Sequence, residues 1–395
     1  MNDPRDIANG FVIPSEGYCD QPYVVKALDG SWLCVMTTGR EAEGGQGQHV
    51  VSTRSTDHGK TWSQPVALEP AAGPEASWCS PLATPSGRIY AFYTYNAANL
   101  REVVTGDADS PPITRVDTLG EYAFKFSDDC GRTWSNRRWF IPVREFDIDR
   151  RNPYGGKLRF FWGVGKPIVH AGAMYLGFTK VRRHTHEDFL AETQGCFLRS
   201  DNILSERDPD RIQWQTLPDG DFGLRSPGGG PICEEANLAA LSDGTLFASC
   251  RTVEGHPLEA YSRDGGHTWT SGYMRHCPGG PLVCNPRAAN FTRRLHEGRH
   301  AGKYVYWFHN NRGRGYEWGC RNPAWLMGGV ERDSPAGKVI HWGRPEVALY
   351  DLNPGAGISY PDFIEDGERF FITETQKSTA RIHEVPQWLM DRLWA

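Results

Sequence analysis

The sequence predicts an all-β chain folded as a β-propeller, a ring of four-stranded sheets, and two kinds of repeat carry that prediction. The octapeptide Ser-x-Asp-x-Gly-x-Thr-Trp occurs three times, at Ser55–Trp62, Ser127–Trp134 and Ser262–Trp269. Weaker copies run from Ser200 to Trp214 and from Glu331 to Trp342, which gives a period of roughly 70 residues. Each period also carries a second unit: an apolar strand, a turn rich in Asp, Ser and Gly, and another apolar strand.

The octapeptide reads as a hairpin turn. Asp and Gly take up turn geometry that β-branched residues resist, and the Asp carboxylate can accept backbone and hydroxyl hydrogen bonds across it. The Trp is expected to pack between neighbouring sheets. The second units begin at Pro22, Ser80, Gly165, Ala236, Pro286 and Ser359, and their alternating apolar residues read as strands. Two hairpins per repeat make a four-stranded blade, and radial repetition makes a propeller. The repeats count six blades. The last one runs out after ARIHEV, so GFVIPS near the N-terminus is expected to supply the missing strand and close the ring. Arg101 to Gly120, Arg144 to Lys157 and Asp219 to Gly230 read as long surface loops, and residues 1–395 as one domain.

Composition narrows the function. With 43 Lys and Arg against 48 Asp and Glu, the net charge is −5, which offers no field for tracking nucleic-acid phosphates. No apolar run approaches the length of a membrane span. The ten cysteines stand singly, without metal-site spacing, and read as small core residues, with room for a few disulfides. Asn290-Phe291-Thr292 is a glycosylation sequon. MNDPRDIANG has neither the charged nor the apolar region of a signal peptide. The expectation is a mature secreted monomer, with a cytoplasmic location as the alternative.

The octapeptide resembles the Asp box of sialidases, and the likeness spans nearly the whole chain. The resemblance places two arginines of a carboxylate-binding triad at Arg251 (GTLFASCR) and Arg321 (WGCRNPAW). It places the nucleophilic tyrosine at Tyr360 (ISYPD) and its partner at Glu235 or Glu234. The first arginine is replaced by CDQPY, with Gln21 nearest, and the acid/base Asp by GGQGQHVV, with Gln46, Gln48 and His49. GYCDQPYVV, DGSWLCVMTTG, GQHVVS, GPEASW, FWGVGKPIV, RNPAW and SYPDFIE…FFITETQKS resemble the propellers that act on L-rhamnose-α-1,4-D-glucuronate. These belong to glycoside hydrolase family 145 and polysaccharide lyase family 42. That resemblance implies seven blades and a calcium ion in the central channel.

The residues themselves suit a uronate lyase, which must neutralise the C6 carboxylate, remove the C5 proton and help O4 leave. Arg251 and Arg321 match a carboxylate with planar, permanently charged forks. His49 in its Gly-rich loop and Tyr360 at the head of an inner strand are the candidates for proton transfer. Gln21, Gln48, Trp78, Lys166, Glu235 and Arg287 are the candidate substrate contacts. Glu234, Asn285, His170 and His309 lie at comparable places, and Trp162 joins Trp78 as a platform for a sugar ring. His184 and His186 in RRHTHED read as part of a charged, solvated loop.

The leading expectation is a lyase that removes terminal rhamnose from glucuronate on gum arabic or arabinogalactan chains. Its partners are oligo- or polysaccharides with rhamnosyl-glucuronate ends. An α-L-rhamnosidase on the same linkage and a non-catalytic carbohydrate-binding propeller are the alternatives, and a true sialidase ranks last.

Overall fold

Six antiparallel sheets, successive in sequence, surround a common axis. The structure is a computed structural model and describes residues 3–107, 109–186, 189–313 and 318–395. Blade 1 holds, from axis to rim, Tyr18–Lys26, Trp32–Gly39, His49–Ser55 and Val66–Ala67. The innermost strands of blades 2, 4, 5 and 6 are Ala76–Ala83, Glu234–Ala240, Phe291–Arg294 and Ser359–Asp366. In blade 3 two short segments share that position, Phe160–Trp162 and Ile168–His170, both paired to Ala173–Thr185.

The ring closes as expected. Phe11–Ile13 pairs with Ala380–Val385, Val12 lying opposite Arg381, and becomes the rim strand of blade 6. The number of blades is six, as the repeats count, and the seventh implied by the rhamnose–glucuronate resemblance is absent among the described residues. The physical reason is chain length. The longest stretch between consecutive sheets, from Phe140 to Phe160, is far too short for a blade of roughly 40–45 residues.

Each Asp box makes the same turn. In blade 1 the Ser55 hydroxyl donates to Asp57 Oδ1 at 2.8 Å, and Thr61 donates to Asp57 through both N–H (2.9 Å) and Oγ1 (2.6 Å). Asp129 and Asp264 repeat the pattern. The three tryptophans pack against the preceding blade: Trp62 with Ile382 and Phe371, Trp134 with Val35, and Trp269 with Phe197 and Leu217. The long loops are less superficial than expected. Val103, Val116 and Leu119 are buried against Trp78, Trp162 and Val181, because the loop within blade 2 folds back over the channel mouth. Asn290 of the sequon is buried, so the folded chain does not present it. Among the described residues no disulfide joins any two cysteines.

Four of the six innermost strands carry a bulge at one equivalent place. The register breaks between Asp20 and Tyr23, Ser77 and Ser80, Glu234 and Asn237, and Ser359 and Asp362. The residue at each break has a left-handed backbone: Gln21 (φ 55°), Trp78 (63°), Glu235 (55°) and Tyr360 (49°). Such a φ costs a non-glycine residue of order 1–3 kcal/mol, so it persists only where its surroundings fix it. Two of these are fixed by the preceding blade: Trp78 N–H donates to Thr37 Oγ1 and Glu235 N–H to Thr179 Oγ1, each at 2.8 Å. Thr179→Val strips the acceptor from a buried N–H. It is expected to lower stability by about 1–3 kcal/mol, read as a fall in the midpoint of denaturant unfolding.

Candidate active site

The bulges send their side chains toward the channel mouth, and three of them, Trp78, Glu235 and Tyr360, line a cavity of about 260 Å³ there. Glu43, Arg115, Thr118, Trp162, Arg251, Arg321 and Lys377 complete the lining. Two larger clefts lie elsewhere. One of about 880 Å³ runs along the loop 218–231 beside blades 3 and 4, and one of about 490 Å³ opens at the far ends of the innermost strands. The smaller cavity is the candidate site because buried ionisable groups and strained backbone converge on it.

Arg251 is the hinge of its charged wall. Its Nε donates to Glu234 Oε1 at 2.7 Å and its Nη1 lies 2.9 Å from Glu235 Oε1. Arg287 binds Glu234 from the next blade, also at 2.7 Å. Burial would raise the Glu234 carboxyl, but the two guanidiniums that hold it outweigh burial and keep its pKa below the ordinary carboxylate range. Glu235 fares differently. Burial raises it, and with Glu234 beside it the opposing pull of Arg251 leaves it at about 7. Arg321 donates to Ser359 Oγ (3.2 Å) and to the Arg287 carbonyl (2.9 Å), which sets its fork against the Tyr360 bulge.

Tyr360 is overlain by Lys377, whose Nζ is 4.2 Å from the ring centroid. Burial pushes the phenol up and the ammonium pulls it part of the way back. Lys377 is itself held by Asp20 at 2.5 Å and Glu43 at 2.8 Å. Trp78 and Trp162 form the apolar wall with ring centroids 6.3 Å apart, and Trp78 Nε1 donates to the Asp117 carbonyl.

The structure brings together Tyr360, Arg251, Arg321, Trp78, Trp162 and Glu235, with Arg287 behind Glu234. It does not bring the others there. His49 is buried in the third strand of blade 1; its Nδ1 faces the Gly47 carbonyl at 2.9 Å and its Nε2 lies 3.6 Å from Glu16. Gln48 ties Gly44 N–H to Ser77 Oγ, which braces the loop. Gln21 donates to the Gly163 carbonyl at 3.2 Å. Lys166 lines the cleft at the opposite mouth with His170, and its Nζ donates to Asp362 at 2.9 Å. Asn285 accepts from His309 N–H, and burial with Arg321 nearby depresses His309 to about 3. His184 is not solvated: it is buried in Ala173–Thr185, its Nε2 2.8 Å from Thr118 Oγ1, while His186 is exposed.

Four lining residues escape the sequence reading. Lys377 lies in FFITETQKS, just past the hairpin that begins at Ser359, and Glu43 directly precedes the GGQGQHVV segment. Arg115 and Thr118 sit in an aperiodic loop and carry no signal. Among the described residues, the buried carboxylates nearest the axis do not fit the calcium implied by resemblance. Calcium takes six to eight oxygens, whereas Glu234 is shared by two arginines and Asp362 by Lys166 and Arg293. No cluster of three or more His, Cys, Asp or Glu among the described residues is arranged for a metal.

No protein-family profile matches the sequence, and no curated protein does. Among solved structures, the chain is similar to the K499G mutant of NanB sialidase from Streptococcus pneumoniae. The identity is 12% over 98% of this chain and 71% of that one, with a TM-score of 0.64. It is similar to the intramolecular trans-sialidase from Ruminococcus gnavus at 13% identity over all of both chains, with a TM-score of 0.63. A protein of unknown function from Dyadobacter fermentans matches at 14% identity, 95% and 97% coverage and a TM-score of 0.59. The fold is that of a sialidase-like β-propeller.

Glu235 links stability to pH. Its carboxyl is raised from an ordinary 4.5 to about 7, so the folded chain holds a proton that the unfolded chain releases. Its contribution is full below about 4.5 and is lost as pH rises through about 7, by roughly 3 kcal/mol at most. Glu235→Gln is expected to flatten that part of the melting temperature–pH curve.

Proposed function

We propose that this protein cleaves a glycosidic bond at a carboxylate-bearing sugar held in the axial cavity. The reaction is β-elimination from a 4-linked glucuronate carrying terminal L-rhamnose. One observation carries the reading: Arg251, Arg321 and Lys377 surround a tyrosine and a carboxyl, Glu235, that changes charge near neutral pH. Elimination requires the C6 carboxylate to be neutralised, so that the C5 proton becomes acidic, and the two arginines supply planar forks for it. Glu235 in its ionised form takes the C5 proton. The electron pair forms the C4–C5 double bond, the C4–O4 bond breaks, and the Tyr360 phenol protonates O4 as rhamnose leaves. Trp78 and Trp162 offer apolar faces for the sugar ring.

The linkage is supported by the sequence segments that resemble rhamnose–glucuronate enzymes. Six blades in place of seven depart from that resemblance, so the reading rests on the site and not on blade number. The structural neighbours named as sialidases give it company of a general kind, since sialic acids are also carboxylate sugars. A hydrolytic reading has one observation in its favour, the closeness of Tyr360 and Glu235 in a nucleophile-and-base arrangement. Against it stands Glu43, which lines the cavity where an acid is needed but is pushed below the ordinary carboxylate range: Lys377 and Arg115 outweigh its burial.

Mass spectrometry on gum arabic oligosaccharides decides the chemistry. An unsaturated uronate, lighter by one water than the hydrolytic product, supports elimination; the heavier product supports hydrolysis, and intact substrate a binding propeller. Arg251→Ala and Arg321→Ala are each expected to lower kcat/KM at least about tenfold. Tyr360→Phe is expected to lower kcat by roughly 10²–10⁴. His49→Ala is expected to stay within a few-fold, and a loss as deep as that of Tyr360→Phe would return proton transfer to His49.

A further inference from the structure

The cavity has two walls of opposite electrical character. On the side of blades 4 to 6, Arg251, Arg287 and Arg321 outnumber Glu234 and Glu235. On the side of blades 1 and 2 the sequence of contacts is Asp20, Lys377, Glu43, Arg115, Asp117, an alternating chain with a carboxylate at each end. Its links are short: Lys377 to Glu43 at 2.8 Å, Arg115 to Glu43 at 2.7 Å, and Arg115 to Asp117 at 2.9 Å. Glu43 is half-buried and lines the cavity, so lone pairs not taken by its two cations are open to a ligand.

From this arrangement we infer that Lys377, Glu43 and Arg115 form a hydroxyl-reading wall, which turns the sugar's carboxylate toward Arg251 and Arg321 and its ring hydroxyls toward Glu43. The inference rests on the carboxylate-sugar reading above and adds the orientation and the specificity residue. A hydroxyl both donates and accepts, and it finds both partners along this wall: it donates to Glu43 and accepts from the guanidinium or the ammonium on either side. A second carboxylate is unwelcome there, since the wall already carries three against two cations. The two cations also keep Glu43 in its ionised, acceptor-only form. Glu43 thus occupies the place of an acid but acts as a permanent acceptor. It is a specificity-determining residue, and Arg115 and Lys377 position it.

The test compares two carboxylates by calorimetry: methyl glucuronoside, and cyclohexanecarboxylate, which has the ring and the charge but no hydroxyl. The wild-type protein is expected to bind the glucuronoside at least about tenfold more tightly. Glu43→Gln places an amide donor against two cations, and is expected to shrink that preference to within about threefold while cyclohexanecarboxylate binding holds. Where Glu43→Gln does not fold, Glu43→Asp serves, since it keeps the charge but withdraws it by one methylene. A variant that retains the full preference overturns the hydroxyl-reading wall and leaves the carboxylate site standing. Failure of the wild-type protein to bind either compound overturns both.

Discussion

At four points round the axis an innermost strand takes in one extra residue, and the cavity is built by where that residue's side chain is sent. A regular strand would alternate its side chains between the two faces of its blade, into the packing between blades. The left-handed residue breaks that alternation and aims Trp78, Glu235 and Tyr360 along the channel mouth instead. None of these residue types favours such a backbone, and the strain is held in place from outside the strand. Thr37 and Thr179, each in the second strand of the preceding blade, accept the displaced N–H groups. Packing of one blade on the next and the geometry of the site are therefore one set of contacts.

Bringing so many ionisable groups to one buried place is tolerable only because their signs alternate. A lone buried carboxylate would take up a proton, and Glu235 stands close to doing so; Glu234, one residue earlier, stays ionised because two guanidiniums share it. Adjacent carboxyls in one strand are thus driven apart in acidity by the direction in which the bulge points each of them. That separation yields one fixed charge and one group that titrates near neutrality, the pattern that acid–base chemistry uses.

Much of this was legible in the sequence because it is local. The Asp boxes, the alternating strands and the closing segment Phe11–Ile13 depend on turn residues and a period of two, which neighbours in the chain determine. Trp78, Glu235 and Tyr360 read as residues at or beside the starts of inner strands, which is where the bulges fall, and Gln21 as the residue nearest the place of the missing arginine. Arg251 is placed by the sialidase resemblance of GTLFASCR, and the structure sets it at the end of the strand paired with Glu234. The place of Lys166 was not legible, because it lies in the gap between Phe160–Trp162 and Ile168–His170 and so lines the cleft at the other mouth. His49 drew notice by standing in a glycine-rich loop, yet the loop turns its ring toward Gly47 and Glu16. Arg115 and Lys377 come to the cavity only through tertiary convergence, from segments with no period to read.

Lys377 also shows why the site needs the whole ring. Its backbone is left-handed (φ 70°), its N–H donates to Thr375 Oγ1, and its carbonyl accepts from Cys19 N–H at 2.7 Å. Cys19 belongs to the first blade and Lys377 to the last, so the residue over the Tyr360 ring is fixed across the seam where the propeller closes. The same seam is held at its rim by Phe11–Ile13 against Ala380–Val385. A partly formed ring would leave Lys377 without Asp20 and Glu43, and Tyr360 without its ammonium. The N-terminal strand makes no contact with the cavity, yet the electrostatics of the cavity depend on it, because it secures the blade that carries both Tyr360 and Lys377.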